Sequence, residues 1–191
     1  ANYGSVSTKD GADGMIKTAL DAFGSIDIVV NNAGILRDKS FKNMTDEDWD
    51  LINAVHVKGA YFVTKAAWPH MLERKWGRVI MTASASGIYG NFGQTLALEG
   101  EKHNIRTNII APVAVSRMTE SLMPANVHEM IKPEFVSPLV VYLCSDQCDV
   151  NGEYYEVGAG CFARLETLRA KGLTIKPGTA DISVEAVAEN W

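Results

Sequence analysis

What this sequence of 191 residues lacks excludes several functions before any motif is read. It has no excess of positive charge: 18 lysines and arginines against 23 acidic residues give a net charge of −5, and no polybasic run points to nucleic acid or a membrane surface. No apolar run approaches the roughly 20 residues of a membrane-spanning helix, and the amino end has no charged-then-apolar signal pattern, so a soluble chain is expected. Cysteine is scarce and odd in number. Cys144, Cys148 and Cys161 suit reduced thiols in an intracellular compartment rather than a disulfide scaffold. No histidine or second cysteine pair is spaced to complete a zinc site with Cys144 and Cys148, and His56, His70, His103 and His128 have no mutual metal-ligand spacing. No metal site is expected. The G-x-S-x-G elbow of a hydrolase is missing, as are internal repeats and low-complexity segments. The first residues contain no initiating methionine and no glycine-rich strand-to-helix turn, so the chain is expected to begin in the middle of a fold.

What is present is a core. A hydrophobic content of 47% over this length supports a single α/β domain. The stretch around which the rest is arranged is Ile26-Asp27-Ile28-Val29-Val30-Asn31-Asn32-Ala33-Gly34. A β-branched run ending abruptly in two amides and two minimal residues predicts a parallel strand, buried on both faces, that delivers its carboxyl end to a ligand. Ala33 and Gly34 leave the backbone open to a flat ring or a phosphate, and the amides can bond neighbouring strands. A buried strand followed by an ordinary Asn-Gly-type turn remains the alternative.

Upstream, apolar residues over 12–23 recur at helical spacing and Gly24 stops them. Downstream, Leu36-Arg37-Asp38-Lys39-Ser40 reads as polar loop, so Arg37 and Asp38 are expected to serve structure or partner contacts. Thr45 with Asp46, Glu47 and Asp48 caps a helix predicted over 46–74, with Pro69 bending it or starting a new turn. Strands are predicted at 77–84 and 105–112, each closing on small or polar residues at the same rim. Between them, 95–100 reads as only the final turns of a helix, which makes Gln94 and Thr95 look like a join across a gap. Residues 116–133 hold three methionines, two prolines and little period, the composition of an apolar flap adaptable to greasy ligands, with Met118, Leu122, Met123 and Met130 as its lining. A helix is predicted over 136–143 and a last strand over 154–157, followed by a weakly helical tail.

Two motif matches are set aside. Gly158-Ala159-Gly160-Cys161-Phe162-Ala163 satisfies G-x-G-x-x-A with Asp181 downstream, but too little chain follows to build a sheet around it. Those glycines are expected to let a terminal strand leave the sheet. Tyr61-Phe62-Val63-Thr64-Lys65 matches Y-x-x-x-K, yet sits mid-helix, so Tyr61 is expected in the core and Lys65 in solvent. His56 stays open between a satisfied structural residue and a site role.

Taken together, the strand ends Asn31-Asn32-Ala33-Gly34, Ser84, Asn108 and Pro112 resemble the short-chain dehydrogenases/reductases over about 5–160. Within that family, Gly34-Ile35-Leu36-Arg37-Asp38-Lys39-Ser40-Phe41, Val55-His56-Val57-Lys58-Gly59, Gly90-Asn91-Phe92-Gly93-Gln94 and Ser116-Arg117-Met118-Thr119 resemble its peroxisomal (3R)-hydroxyacyl-CoA dehydrogenases. The resemblance implies a doubly wound parallel sheet (Rossmann-like), NAD as hydride acceptor, an acyl-CoA substrate oxidised at C3 in fatty-acid β-oxidation, a homodimer and a peroxisomal location. The carboxyl end, Glu189-Asn190-Trp191, carries no peroxisomal address of its own. Carried over by position, Ser84 matches the serine that bonds the reacting oxygen, with Ser86 as the alternative hydroxyl. Asn32, Ala33 and Gly34 match the cofactor-side turn; Ala114, Val115 and Ser116 match the segment that meets the nicotinamide end; Ser5 and Val6 match adenine-side residues. The sequence also departs from the family. The first βαβ unit is absent, the place of the family's catalytic tyrosine holds Ala97, its helix with the Tyr-x-x-x-Lys pair is missing, His56 stands where many relatives have a relay asparagine, and Val113 replaces a glycine. The expected layout is an incomplete dehydrogenase domain over 1–163 and a carboxyl-terminal extension over 164–191. An NADPH-dependent 3-oxoacyl or steroid reductase is the rival within the fold, and a catalytically inactive binding module the rival outside it.

Overall fold

Three hydroxyls crowd ahead of the first helix, and one of them starts it. Thr8, in extended conformation, accepts the Gly11 N–H at 3.2 Å and N-caps α1 (Lys9–Phe23); Gly24, at φ 74°, ends the helix by donating its N–H to the Leu20 carbonyl. The computed structural model describes all residues except 38, 85–90, 118, 121–122, 173–182 and 191. After β1 (Ile28–Asn31), Thr45 caps α2 (Asp46–Ile52), whose first turn places three carboxylates against the positive end of the helix dipole. The backbone then widens to π spacing over Asn53–Lys58 and tightens again as α3 (Gly59–Arg74). The expected helical extent holds, but its irregularity is at the π turn carrying His56 rather than at Pro69, which lies within α3.

β2 (Gly77–Thr82), α4 (Asn91–Gly100) and β3 (Ile105–Pro112) form the next crossover, followed by α5 (Ser137–Cys144), β4 (Tyr154–Gly158), β5 (Cys161–Leu165) and α6 (Val184–Asn190). α4 runs through Gln94 and Thr95 as one helix. The strands order β1-β2-β3-β4-β5; the first four are parallel and β5 is antiparallel. Alternation along each strand splits the core in two. Val29, Val79, Met81, Ile105 and Ile109 pack with Ile16 of α1 and Met71 of α3, whereas Ile80, Ile110 and Val157 pack with Leu139 and Leu143 of α5. Helices on both faces of a parallel sheet are the doubly wound, Rossmann-like arrangement.

Two expectations need correction here. β1 is buried on one face only: Val29 is 5% exposed, but Ile28 and Val30 are 43% and 44% exposed. β1 is the edge of the sheet, and among the described residues no helix covers its α5 side. At the other edge, Ala159 and Gly160 take φ 51° and 76° and fold the chain back as a two-residue hairpin turn, so the strand does not leave the sheet but is paired by β5. Asp181, the third element of that motif match, lies outside the described residues.

Candidate active site

Parallel strands deliver their carboxyl ends to one rim. β1, β2 and β3 are parallel neighbours, so Asn32, Ala33 and Gly34 after β1, Ser84 after β2 and Ala114, Val115 and Ser116 after β3 share that rim. α1 and α3 run toward the opposite ends of β1 and β2, which brings Ser5 and Val6, ahead of α1, to the same side. These residues after β1, β2 and β3 and ahead of α1 therefore lie at one end of the sheet.

Their local geometry differs. Ser5 Oγ is 2.8 Å from Ser7 Oγ, and the Ser5 carbonyl accepts the Thr8 hydroxyl at 3.2 Å. That carbonyl occupies the space a Cβ on Gly11 would need, while Val6 packs against Gly59 at the start of α3. Asn31 Nδ2 donates to Thr64 Oγ1 on α3 at 2.9 Å and across to Met81 Sδ on β2 at 3.3 Å, so the amide bonds a helix as well as the neighbouring strand. Asn32 and Ala33 are exposed, and the Asn32 N–H donates to the Val30 carbonyl at 3.0 Å. Gly34 is half-buried under the His56 ring: a Cβ there would fall 2.8 Å from His56 Cε1. His56 Nε2 lies 3.1 Å from the Ile35 nitrogen and 2.8 Å from the Ile35 oxygen. One ring nitrogen cannot accept the N–H and donate to the carbonyl in the same protonation state, so each bond belongs to a different tautomer. The π turn is what presents this ring to the β1 turn.

Ser84 is exposed just past β2, beyond Ala83, whose N–H is held by the Ile110 carbonyl at 2.7 Å. The alternative Ser86 lies outside the described residues. Ala97 is buried within α4, where its carbonyl accepts from Asn151 Nδ2 at 3.0 Å, and it supplies no proton acceptor. The other Y-x-x-x-K pair departs from expectation. Tyr61 is 40% exposed, not a core residue, and Lys65 Nζ donates to its hydroxyl at 2.7 Å; the i,i+4 spacing puts both on the outer face of α3. All three cysteines are free, and among the described residues no cluster could hold a metal ion.

The segment after β3 is closely bonded. Thr119 Oγ1 donates to the Ala114 carbonyl at 3.0 Å, accepts the Ser116 N–H at 2.9 Å and lies 3.2 Å from Ser116 Oγ. The Val115 N–H donates to the Ile131 carbonyl at 2.8 Å, tying the segment to the expected flap. That flap consists in part of 3-10 turns at Ala125–Met130 and Pro133–Phe135; Met123 is half-buried and Met130 exposed, while Met118 and Leu122 lie outside the described residues. Thr119 was not singled out by itself from sequence. The signal was local: a threonine three residues after a serine is a common side-chain-to-backbone bonding pattern.

Comparison with known proteins agrees with this geometry. Residues 3–96 match the family model for short chain dehydrogenase. The chain is 50% identical, over its whole length, to peroxisomal multifunctional enzyme type 2 of Mus musculus, of which it spans 28%. It is 46% identical to a short-chain type dehydrogenase/reductase of Mycobacterium tuberculosis, again over its whole length and over 71% of that protein. These alignments run 206 and 207 positions against the chain's 191 residues, so each relative carries residues with no counterpart here. Among solved structures, a short chain dehydrogenase from Mycobacterium avium superposes with a TM-score of 0.83 at 32% identity, covering 98% of this chain and 72% of that one. Full-length peroxisomal multifunctional enzyme type 2 from Drosophila melanogaster superposes with a TM-score of 0.80 at 33% identity, covering 98% of this chain and 35% of that one. With its doubly wound sheet, its Asn-Asn-Ala-Gly turn and these relatives, the chain belongs to the short-chain dehydrogenase family of oxidoreductases.

Proposed function

We propose that this chain is the dehydrogenase part of an NAD-dependent enzyme that oxidises (3R)-3-hydroxyacyl-CoA to 3-ketoacyl-CoA in fatty-acid β-oxidation, working in the peroxisome as a homodimer. The observation that carries the reading is the placing of a hydroxyl, Ser84, on the same rim as the small-residue turn at 32–34 and the bonded segment at 114–116. The donor set fits the ends of a dinucleotide. Ala33 and Gly34 bring no bulk to the rim, and Ser5 offers a hydroxyl beside the start of α1. In this reading Asn32, Ala33 and Gly34 flank the cofactor, Ser5 and Val6 lie toward its adenosine, and Ala114, Val115 and Ser116 toward its nicotinamide. NAD, when bound, supplies the hydride acceptor. Ser84 donates its hydroxyl proton in a hydrogen bond to the substrate oxygen at C3 and so fixes which face of that carbon is presented. The Met123 and Met130 side chains offer an apolar cover for an acyl chain.

The proton of the substrate hydroxyl also needs an acceptor. A phenol of pKa near 10 serves at neutral pH only with a cation one helical turn away, and Ala97 cannot take that part. We assign the acceptor to the residues by which the relatives exceed this chain. Ala97 also favours a second reading, a catalytically inactive module that keeps the ligand rim. The deciding experiment restores to the chain the residues by which the relatives exceed it, incubates it with NAD and (3R)-3-hydroxyacyl-CoA and follows NADH formation, with the (3S) isomer, 3-oxoacyl-CoA plus NADPH, and a ketosteroid plus NADPH in parallel. NADH from the (3R) isomer alone supports the proposal. NADPH consumption in its place shows a reductase, and acyl-CoA binding without turnover shows the inactive module.

A further inference from the structure

We propose that Thr119 is a positioning residue for the nicotinamide end of the cofactor: by closing three bonds at once on Ala114 and Ser116, its hydroxyl sets the conformation of the segment that end meets. The inference rests on the dinucleotide reading above and adds a residue to it. Its basis is a count of hydrogens. A threonine hydroxyl has one proton and two lone pairs. The proton goes to the Ala114 carbonyl at 3.0 Å, and one lone pair accepts the Ser116 N–H at 2.9 Å. The remaining lone pair faces Ser116 Oγ at 3.2 Å, so in that pair Ser116 is the donor. Thr119 thereby uses its proton and both lone pairs on Ala114 and Ser116.

The backbone closes the same loop. The Thr119 and Glu120 N–H groups both donate to the Ser116 carbonyl, at 2.9 and 2.8 Å, while Val115 is held from the other side by the Ile131 carbonyl at 2.8 Å. Ile131 is buried, so that second anchor is firm. Ala114 and Ser116 have half-buried side chains. The Thr119 hydroxyl bonds the backbone of both. Pro112 is followed by Val113 rather than a glycine, and Gly158 of β4 presses its α-carbon against the Val113 carbonyl, where an added Cβ would come within 2.2 Å. The segment's entry is thus fixed by Val113, its middle by Ile131 and its exit by Thr119.

The test compares the full chain with Thr119→Val, which keeps shape and loses the hydroxyl, and Thr119→Ser, which keeps the hydroxyl. NADH binding is titrated by fluorescence, ADP-ribose binding by calorimetry, and amide exchange at Ser116 is followed by NMR. Thr119→Val is expected to weaken NADH about tenfold, to leave ADP-ribose within about twofold because that ligand lacks nicotinamide, and to speed Ser116 exchange about tenfold. Thr119→Ser stays within about threefold of the parent in all three. Equal NADH affinity in parent and Thr119→Val overturns the inference. So does an equal loss of NADH and ADP-ribose, which would make Thr119 structural, or an equal loss in Thr119→Ser. A parent chain that binds no NADH overturns the dinucleotide reading itself and this inference with it. Should Thr119→Val fail to fold, the Thr119→Ser titration and parent exchange decide: a Ser116 amide exchanging as fast as an unbonded one in the parent sinks the proposal.

Discussion

At the amino end of the sheet Arg78 is 2% exposed, its guanidinium 4.4 Å above the Trp76 ring and donating from Nη1 to the Gly77 and Asn104 carbonyls, while Trp76 Nε1 donates to Asp146. At the carboxyl end of the same strands, Ser84, Asn32 and His56 are exposed, and what order there is comes from hydroxyls and one imidazole bonded to backbone. Arg78 titrates below its ordinary range because burial penalises its charge and Arg106, its partner in register on β3, repels it. At 2% exposure Arg78 offers no surface to an entering ligand. The amino end is a structural clasp and the carboxyl end a working surface, so substitutions at the first should move stability and at the second activity.

The largest effect expected is at the working end. In catalytically active enzyme, Ser84→Ala should lower kcat by roughly 10² to 10³, a barrier change of about 2.7–4 kcal/mol, because it deletes a donor aimed at the reacting oxygen. NAD affinity and the unfolding midpoint should stay put. Steady-state kinetics of Ser84→Ala beside Ser86→Ala checks the placement, and full kcat in the first with a large loss in the second would move the reacting oxygen to Ser86.

Next comes the clasp. Arg78→Ala removes a charged donor from two carbonyls, of which that of Asn104 keeps the Gly77 N–H, and uncovers a stacked indole, and should lower unfolding free energy by about 2–4 kcal/mol. Arg78→Met fills the space without the charge and relieves the repulsion from Arg106, so it should lose less than half as much. Urea denaturation measures both, and turnover per folded molecule should not change. A loss of turnover greater than the loss of folded protein would break the contrast between the two ends.

Much of this contrast was legible in the sequence, and what was not has a physical reason. Capping is local chemistry, so Thr45 and Gly24 fall where hydroxyl and glycine preferences put them, although the Thr8 cap and the first turn after it were not read. The rim itself followed from strands ending in small and polar residues. What failed were statements about neighbours. β1 has the composition of a doubly buried strand, but whether Ile28 and Val30 are covered depends on elements elsewhere in space. Tyr61 looked like core because apolar residues surround it in sequence, yet helical spacing turns it outward with Lys65. β5 was missed because Gly158 and Gly160 suit either departure from a sheet or a hairpin, and only pairing with β4 selects between them. The Thr119 bonds were only half legible for another reason: a threonine three residues after a serine signals local bonding, but which groups its hydroxyl meets depends on backbone geometry that residue types do not encode.

A third effect sharpens the boundary of the working end. The flap is taken to cover an acyl chain, so Met123→Glu should raise KM for long-chain substrates about tenfold more than for short ones, since each buried methylene contributes about 0.8 kcal/mol. Equal effects on both lengths would remove the flap from the site.

The smallest effect is expected just beyond the rim, at Arg37. Its side chain is committed to structure: Nη1 donates to the Leu36 carbonyl at 2.8 Å and Nε lies 3.4 Å from Asp48 Oδ1. Asp48 is shared. Its carboxyl also meets Lys39, whose ammonium is the main reason it titrates below the usual carboxylate range, and the Thr45 hydroxyl that caps α2. With Lys39 in place, Arg37→Ala therefore leaves Asp48 paired and the cap intact, and an exposed ion pair of this kind is worth at most about 1 kcal/mol. Turnover should stay within about an order of magnitude, a barrier change near 1.4 kcal/mol, and KM should be similarly little affected. Asp38, paired with Arg37 in that expectation, lies outside the described residues, and Asp38→Ala is held to the same limit. A thousandfold loss in either variant would extend the working end past residue 34 into the loop and put a charged group where the present reading has only backbone and hydroxyls.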